Sequence, residues 1–375
     1  MNKDNRYSNY ELMRIVSMIL VIFGHVFYWG GITKHSTPLV SSLINFISTI
    51  IVVHVNSFVL VSGYFQSTSK FKIKKVFKLL LYLLIYITAI CLIGKYFNLF
   101  NVNKIDILYA ITVISFPSHW FIKMYIILYC VSPFLNKTIA VLKKKDYQKL
   151  LIILFVFCSI VTTISNQEFM QNLGGYSLVN FVFLYFIGAY IRKYQEDFKK
   201  YNFKKLLIIF VSCFLLNYLI YRVGLVFVSL NKEISMIGKT MSNSLLHYDN
   251  PFVIIGSIAY FMMFGLFKFK NKFINLLSLH TLEVYIIHET PQLRSIIYNF
   301  FGLTQKIYDS RRIVLKAFLI AVAIFVMCTV IAYIVEYLLK FIDFLISKTK
   351  LKILVEKIRR NSCFVKIEKY FATFD

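Results

Sequence analysis

The chain has 375 residues, of which 58% are hydrophobic, and a mean hydropathy of +0.68. A soluble domain is far less apolar, so the composition predicts an all-α, polytopic integral membrane protein. The net charge of +26 would suggest nucleic-acid binding in a soluble protein. Here the basic residues fall between apolar segments, so we expect contact with membrane lipids and no nucleic-acid partner.

Windows of about 20 apolar residues predict ten transmembrane helices. Their approximate ranges are 10–30, 40–62, 75–94, 118–135, 149–165, 178–192, 204–222, 251–268, 276–297 and 313–339. The first range lacks a small-residue cleavage site after it and contains ionisable groups, so it is predicted to be a retained span rather than a signal peptide. A shorter apolar stretch, 105–117, is predicted to be re-entrant or interfacial.

The basic residues also predict the orientation. Most of the 43 Lys and Arg residues fall at the two ends of the chain and in the loops after the second, fourth, sixth and eighth spans. Because cytoplasmic loops are enriched in Lys and Arg, both termini are predicted to be cytoplasmic. Residues 1–340 form the predicted membrane domain. Residues 341–375 alternate basic and apolar residues, which predicts an amphipathic cytoplasmic helix lying on the inner leaflet.

The first span carries three ionisable residues, Glu11, Arg14 and His25. Arg14 and His25 are 11 positions apart, which on a helix is about 1,100° of rotation and about 16 Å of rise, so both lie on one face. Glu11 precedes Arg14 by one turn and is placed to pair with it. A snorkelling Arg14 and a structural hydrogen bond from His25 are the plain alternatives. Ionisable residues within a span otherwise indicate function.

Further polar residues lie in three other predicted spans. The second contains His54 and Asn56 and then Ser62 and Gly63, where the glycine permits close approach of a neighbour or a ligand. The fourth begins with His119 and Trp120, of which the tryptophan alone is explained equally well as an interfacial anchor. The ninth contains four polar residues that are either functional or part of a buried structural hydrogen-bond network: Glu283, Tyr285, His288 and Glu289. The six cysteines show no metal-ligand spacing, so neither disulfides nor a metal site is predicted.

These residues resemble the acyltransferase-3 family of integral membrane enzymes. Arg14 and His25 match the family's Arg and His separated by ten residues, whereas Glu11 stands where members more often have Asp. Four further segments, from about residue 8 to residue 300, resemble family blocks in matching order: VNSFVLVSGYF, HWFIKMYIILYCVSPFLN, FLYFIGAYIRKY and LEVYIIHETPQLR.

The resemblance implies an O-acyltransferase of the cell membrane. It moves an acyl group, acetyl by default, from cytoplasmic acyl-CoA (acetyl-CoA) to a hydroxyl of a surface polysaccharide or its lipid-linked precursor, with no permanently bound cofactor. Arg14 would bind the donor, together with Ser62 and Gly63. His25 would be the general base, with direct transfer favoured over an acyl-histidine. Glu11 and His288 complete the catalytic set, and the acceptor is assigned to His119, Trp120, Tyr285 and Glu289.

Three other functions share the composition. A polysaccharide polymerase usually needs a large outer loop, which the predicted topology lacks. A lipid-linked sugar flippase would not require the Arg14–His25 pair. A secondary transporter would use ionisable residues at mid-depth, such as Glu283 and His288.

Overall fold

The structure is a computed structural model that describes residues 7–101, 103, 119–165, 173–230, 232–303 and 308–348. Within these ranges the chain is helical and has no strand, apart from an isolated bridge between Ser36 and Tyr308. The predicted all-α membrane fold is therefore confirmed. The predicted re-entrant stretch 105–117 lies outside the described residues.

The helices occur in a single run along the chain. They are α1 (Ser8–Trp29), α2 (Pro38–Ile51), α3 (His54–Gln66), α4 (Ile73–Tyr96), α5 (Trp120–Val141), α6 (Lys144–Phe155), α7 (Leu178–Lys193), α8 (Phe203–Val228), α9 (Lys232–Asn243), α10 (Pro251–Leu266), α11 (Lys272–Leu277), α12 (Thr281–Glu289), α13 (Pro291–Phe300) and α14 (Arg312–Ser347). After α6, a π-helical turn at Val156–Val161 continues the helical path to Ile164.

Eight helical segments among the described residues are long and apolar enough to cross a membrane, and they match eight of the ten predicted spans. The sixth predicted span is α7, which has 16 residues and is therefore about 24 Å long. The ninth is divided into α11, α12 and α13. Pro291 causes the last division, because it lacks an N–H and holds Thr290 in an extended conformation. The total of ten spans stays a prediction.

The second predicted span is also interrupted. Val52 and Val53 separate α2 from α3, so that His54 becomes the first residue of α3. Both residues keep αR dihedrals, so the chain continues in the same direction through this turn. Val52 and Val53 are both buried, and the residues directly after them face the cavity described below.

Burial separates central helices from peripheral ones. Every residue of α12 except Leu282 is buried, whereas α8 buries only Leu206, Cys213, Asn217 and Gly224 along its 26 residues. A helix that exposes long apolar side chains around most of its surface is suited to lipid contact. The short, polar α12 therefore lies in the interior, and the long, apolar α8 lies at the edge.

Helices α3 and α7 pack backbone to backbone. A Cβ at Gly63 would overlap the carbonyl group of Tyr185, and a Cβ at Gly188 would overlap the carbonyl group of Leu60. Small residues allow this close approach between membrane helices, where dispersion contacts replace the hydrophobic effect as the source of attraction. The two glycines therefore fix the spacing of α3 and α7.

Contacts between loops agree with the predicted grouping of the two sides. Lys144 pairs with Asp197 at 2.7 Å, so the loops after α5 and α7 lie on one side. Tyr308 exchanges backbone hydrogen bonds with the α1–α2 loop, through His35 and Thr37, on the other. Which side is cytoplasmic stays a prediction. Helix α14 continues to Ser347, and most of the predicted tail, 349–375, lies outside the described residues.

Candidate active site

A cavity of about 1370 Å³ runs along α1 and α3. Its mouth is lined by the first residues of α1 and by the ends of α3, α7 and α10, and it includes four basic residues: Lys75, Arg192, Lys199 and Lys268. Its deep end is lined by His25, His54, Trp120, Tyr248 and Tyr285. The cavity therefore joins a basic surface to a group of histidine and aromatic side chains inside the protein.

Arg14 lies on the cavity wall nearer the mouth and is held by two partners. Its Nη1 donates to Glu11 Oε2 at 3.1 Å, and its Nη2 donates to Thr281 Oγ1 at 3.2 Å. The Arg14 side chain remains 32% exposed. The guanidinium is therefore oriented by α1 and α12 while it still has donors available to a ligand in the cavity.

His25 lies at the deep end, and its Nδ1 faces two groups of α12. Glu289 Oε2 is 3.1 Å away, and His288 Nε2 is 3.2 Å away. His288 Nδ1 lies 2.6 Å from the carbonyl oxygen of Val284, and a carbonyl can only accept. In a neutral His288 the proton is then on Nδ1 and Nε2 accepts.

The direction of these hydrogen bonds determines the tautomer of His25. His288 Nε2 is the hydrogen-bond partner of Nδ1 and accepts, so Nδ1 carries the proton, and the lone pair of a neutral imidazole is on Nε2. Glu289 Oε2 lies 3.1 Å from the same nitrogen without hydrogen-bond geometry, and its charge stabilises the cation formed when Nε2 takes a proton. The geometry of His25 is therefore that of a positioned base.

Glu289 is in turn held by α13 and the end of α1. Arg294 Nη2 forms a salt bridge with Glu289 Oε1, and the Arg294 guanidinium lies over the Trp29 ring at 3.8 Å from its centroid. Stacking on an indole ring and pairing with a carboxylate are both favoured by the planar guanidinium. Arg294 thus compensates the charge of a carboxylate that would be costly to bury alone.

The structure brings many of the predicted site residues to the cavity. Glu11, Arg14, His25, Ser62, Trp120 and Tyr285 line it. His288 and Glu289 do not line it, but they contact His25 from behind. Trp120 stacks on Tyr248 with a centroid separation of 5.9 Å, so the predicted anchor belongs to the aromatic wall of the cavity.

Three predicted binding residues are not on the cavity wall: Gly63, His119 and Glu289, of which Glu289 contacts His25. Gly63 was assigned to the donor, but it packs against the backbone of α7, and this leaves no room for a ligand beside it. His119 was assigned to the acceptor, but it is 2% exposed and its Nε2 lies 3.0 Å from the carbonyl oxygen of Ile286. His119 has a left-handed φ of 64° at the start of α5, and its contact with α12 holds that turn in place.

Three side chains could together hold a divalent cation. His25, His288 and Glu289 place one ligand atom each within 4.8 Å of one another. The sequence predicted no metal because the six cysteines show no ligand spacing, and that stays a prediction. The Arg294 guanidinium on Glu289 opposes a second cation there, whereas hydrogen bonds already explain the arrangement.

Sequence reasoning missed several residues of the site. Arg294, Trp29 and Thr281 were assigned no role, and His54 was noted only as a polar residue of the second span. Arg294 follows Glu289 by five positions across Pro291, a spacing that helical periodicity does not relate. The available signal for Arg294 was a basic residue that directly follows the polar residues of the ninth predicted span.

Comparison with known proteins identifies one similarity. Residues 7–337 match the acyltransferase-3 family model, whose description is "Acyltransferase domain". No curated protein and no solved structure gives a significant match.

Proposed function

Because the chain belongs to the acyltransferase-3 family and is a multi-pass membrane protein, we propose that it is an O-acetyltransferase of the cell membrane. The donor is cytoplasmic acetyl-CoA. The acceptor is a hydroxyl of a surface polysaccharide or of its lipid-linked precursor. The acyltransferase activity follows from the family, whereas the acetyl group, the donor and the acceptor are the proposal.

One observation carries the proposal: Arg14 and His25 line the same cavity. They are separated by about 16 Å along α1, with the basic mouth beyond Arg14. A donor with a long, flexible arm between a charged nucleotide and a reactive thioester suits such a site. Its phosphates remain near the mouth while its acyl group reaches His25.

The mouth offers the charges that the donor requires. Arg14 and the basic residues at the mouth are suited to phosphate groups, for which a guanidinium provides paired donors and an ammonium provides a point charge. Ser62, on the same wall, is a further polar contact for the pantetheine arm. Glu11 and Thr281 hold Arg14 in the orientation that faces the donor.

At the deep end His25 would act as the general base. Its Nε2 removes the proton of the acceptor hydroxyl as the oxygen attacks the thioester carbon. The carbon–sulfur bond then breaks, and the proton passes from His25 to the departing CoA thiolate. No protein nucleophile is needed. His288 and Glu289 keep the imidazole in the reactive tautomer, and Trp120 and Tyr285 form an aromatic wall against which a sugar ring can pack.

The orientation belongs to the same proposal. With both termini cytoplasmic, the mouth faces the compartment that contains acyl-CoA. Reporter fusions at Lys144 and Lys200 are expected to give a cytoplasmic signal, and a fusion at Lys239 is expected to give an external one. A reporter at Lys144 that is active outside the cell would reverse the orientation and remove the cytoplasmic donor from the mechanism.

The function is tested with the full-length protein in nanodiscs. Acetyl-CoA labelled in its acetyl group is incubated with the enzyme and with glycan from the same cells, and ester formation is followed by NMR. Labelled O-acetyl groups on the glycan are the expected result, with release of free CoA in equal amount. CoA release without glycan ester would contradict the transferase assignment.

A further inference from the structure

His54 combines burial with direct access to the cavity. It is the first residue of α3, directly after the interruption at Val52 and Val53. The residue is 8% exposed, and it lines the deep end of the cavity. A histidine in this position is not explained by the donor-binding and base roles assigned above.

The hydrogen-bonding capacity of His54 is not used within the described part of the chain. Its Nδ1 is buried and has no hydrogen-bond partner there. The ring instead faces the Tyr248 ring in an edge-on arrangement, with 5.9 Å between centroids. Buried polar atoms in native proteins nearly always have a partner, because an unmet hydrogen bond is costly. Because Nδ1 is fully buried, the nitrogen of this cavity-lining ring that a substrate is able to reach is Nε2, which indicates that the substrate pairs with Nε2.

His54 and His25 are close, but their surroundings differ. The two imidazoles are near enough to interact electrostatically. Glu289 contacts His25 at 3.1 Å, whereas no ion pair joins His54 to a carboxylate within the described ranges. An imidazole without a carboxylate is poorly suited to take up a proton. As a neutral ring it still has one N–H to donate.

We propose that His54 is a catalytic residue that donates a hydrogen bond to the carbonyl oxygen of the acyl thioester. The proposal rests on the proposed function, since it concerns the same transfer. As the acceptor oxygen bonds to the carbonyl carbon, the π electrons move to the carbonyl oxygen, and His54 stabilises this oxyanion. When the carbonyl re-forms, the carbon–sulfur bond breaks, and His25 gives the hydroxyl proton to the sulfur. His54 keeps its own proton throughout.

The different roles of His25 and His54 follow from their positions on two helices that line the cavity. His25 is on α1 and His54 is on α3, so a thioester held between the two helices has the base on one side and the oxyanion donor on the other. A fixed donor aimed at developing charge stabilises the transition state more than the ground state. Removal of His54 is therefore expected to lower kcat and to leave donor binding unchanged.

Two His54 variants and a control test the assignment. His54→Phe keeps a planar ring and removes the donor, and His54→Gln restores an amide N–H close to the position of Nε2. His247→Phe is the control, because His247 is a half-buried histidine outside the cavity lining. Each full-length variant is assayed in nanodiscs for glycan acetylation, acetyl-CoA binding and thermal melting. His54→Phe is expected to lower kcat about 10²–10³-fold with binding and melting unchanged. His54→Gln is expected to recover at least about tenfold, and His247→Phe is expected to retain wild-type kcat.

Three outcomes would contradict either the role of His54 or the proposed function. Wild-type kcat in His54→Phe overturns the catalytic role of His54 while the proposed function stands. A fall in kcat that parallels lower melting and weaker donor binding, and that His54→Gln does not reverse, overturns it in favour of packing. A wild-type enzyme that transfers nothing from acetyl-CoA to glycan overturns the proposed function, and the role of His54 with it.

Discussion

The two ends of α1 place different charges in different surroundings. At Arg14 the guanidinium is 32% exposed, lies toward a basic mouth and bonds with Glu11 and Thr281. At His25 the partners Glu289 and His288 are buried. Arginine is always charged, so it needs water or an anion. An imidazole is able to be neutral and therefore tolerates the interior. The helix thus separates binding of a charged donor near the mouth from proton transfer at the deep end of the same cavity.

The largest expected effect on acyl transfer comes from replacing His25, at the deep end of the cavity. His25→Ala should lower acyl transfer by about 10²–10⁴-fold, because the general base is lost. Acetyl-CoA binding should stay within about twofold of wild type, because Arg14 and the mouth are unchanged. Single-turnover transfer and equilibrium binding, measured separately in nanodiscs, check the two parts. Normal transfer by this variant would remove the distinction between the two ends of α1.

A smaller loss of acyl transfer is expected when Glu289, which contacts His25, is replaced. Glu289→Gln removes the carboxylate and allows the amide to donate to Nδ1, which moves the imidazole proton to Nε2 and blocks the base. Transfer should fall toward the lower end of the about 10²–10⁴-fold range of general-base catalysis, because a neutralised acid in a Ser-His-Asp triad likewise leaves the base in the wrong tautomer. The matched control is Glu283→Gln, since Glu283 is a buried acid of the same helix that pairs with His280 at 3.7 Å. Equal losses of transfer in the two variants would indicate general damage to α12.

Arg14→Lys tests donor binding near the mouth of the cavity. A lysine cannot reproduce the paired donors of the guanidinium, and a hydrogen bond to a charged group contributes about 1.5–3 kcal/mol. We expect acetyl-CoA binding to weaken by about tenfold, with the rate at saturating donor little changed. Calorimetry or a displacement assay measures this. Arg222→Lys is the control, since Arg222 donates to Ser42 outside the cavity. An unchanged Kd in Arg14→Lys would exclude donor binding by Arg14.

The smallest effect concerns the partner of Arg14 on α12. Thr281→Val keeps the shape of the side chain and removes the hydroxyl that accepts from Arg14 Nη2. A hydrogen bond of this kind contributes about 0.5–1.5 kcal/mol, so donor binding should weaken by about two- to tenfold. Thr329→Val removes a buried hydroxyl that bonds only to its own helix and serves as the comparison. Identical Kd values for the two variants would show that Arg14 needs no orientation from α12.

The sequence predicted the parts of the site that depend on one helix. The shared face of Arg14 and His25 and the pairing of Glu11 with Arg14 follow from 3.6 residues per turn. It did not predict the contacts of Glu289 with both His25 and Arg294, because these join three helices. The assignment of Gly63 to the donor stays a prediction, but the contact of Gly63 with α7 is of the same kind. A glycine in a span permits close approach, but only the position of Tyr185 shows that a neighbouring helix uses it.

The interlocked glycines also bear on how a bulky donor enters and leaves. Because Gly63 and Gly188 bring α3 and α7 into backbone contact, these two helices cannot slide or separate without breaking many contacts at once, and they act as a stiff frame. Helix α4 also contributes Lys75 and Leu79 to the cavity lining, yet it buries only Ile73, Val76, Leu83, Tyr86, Ile87, Cys91 and Gly94 of its 24 residues. The cavity would therefore widen mainly by movement of α4, while α3 and α7 stay in place.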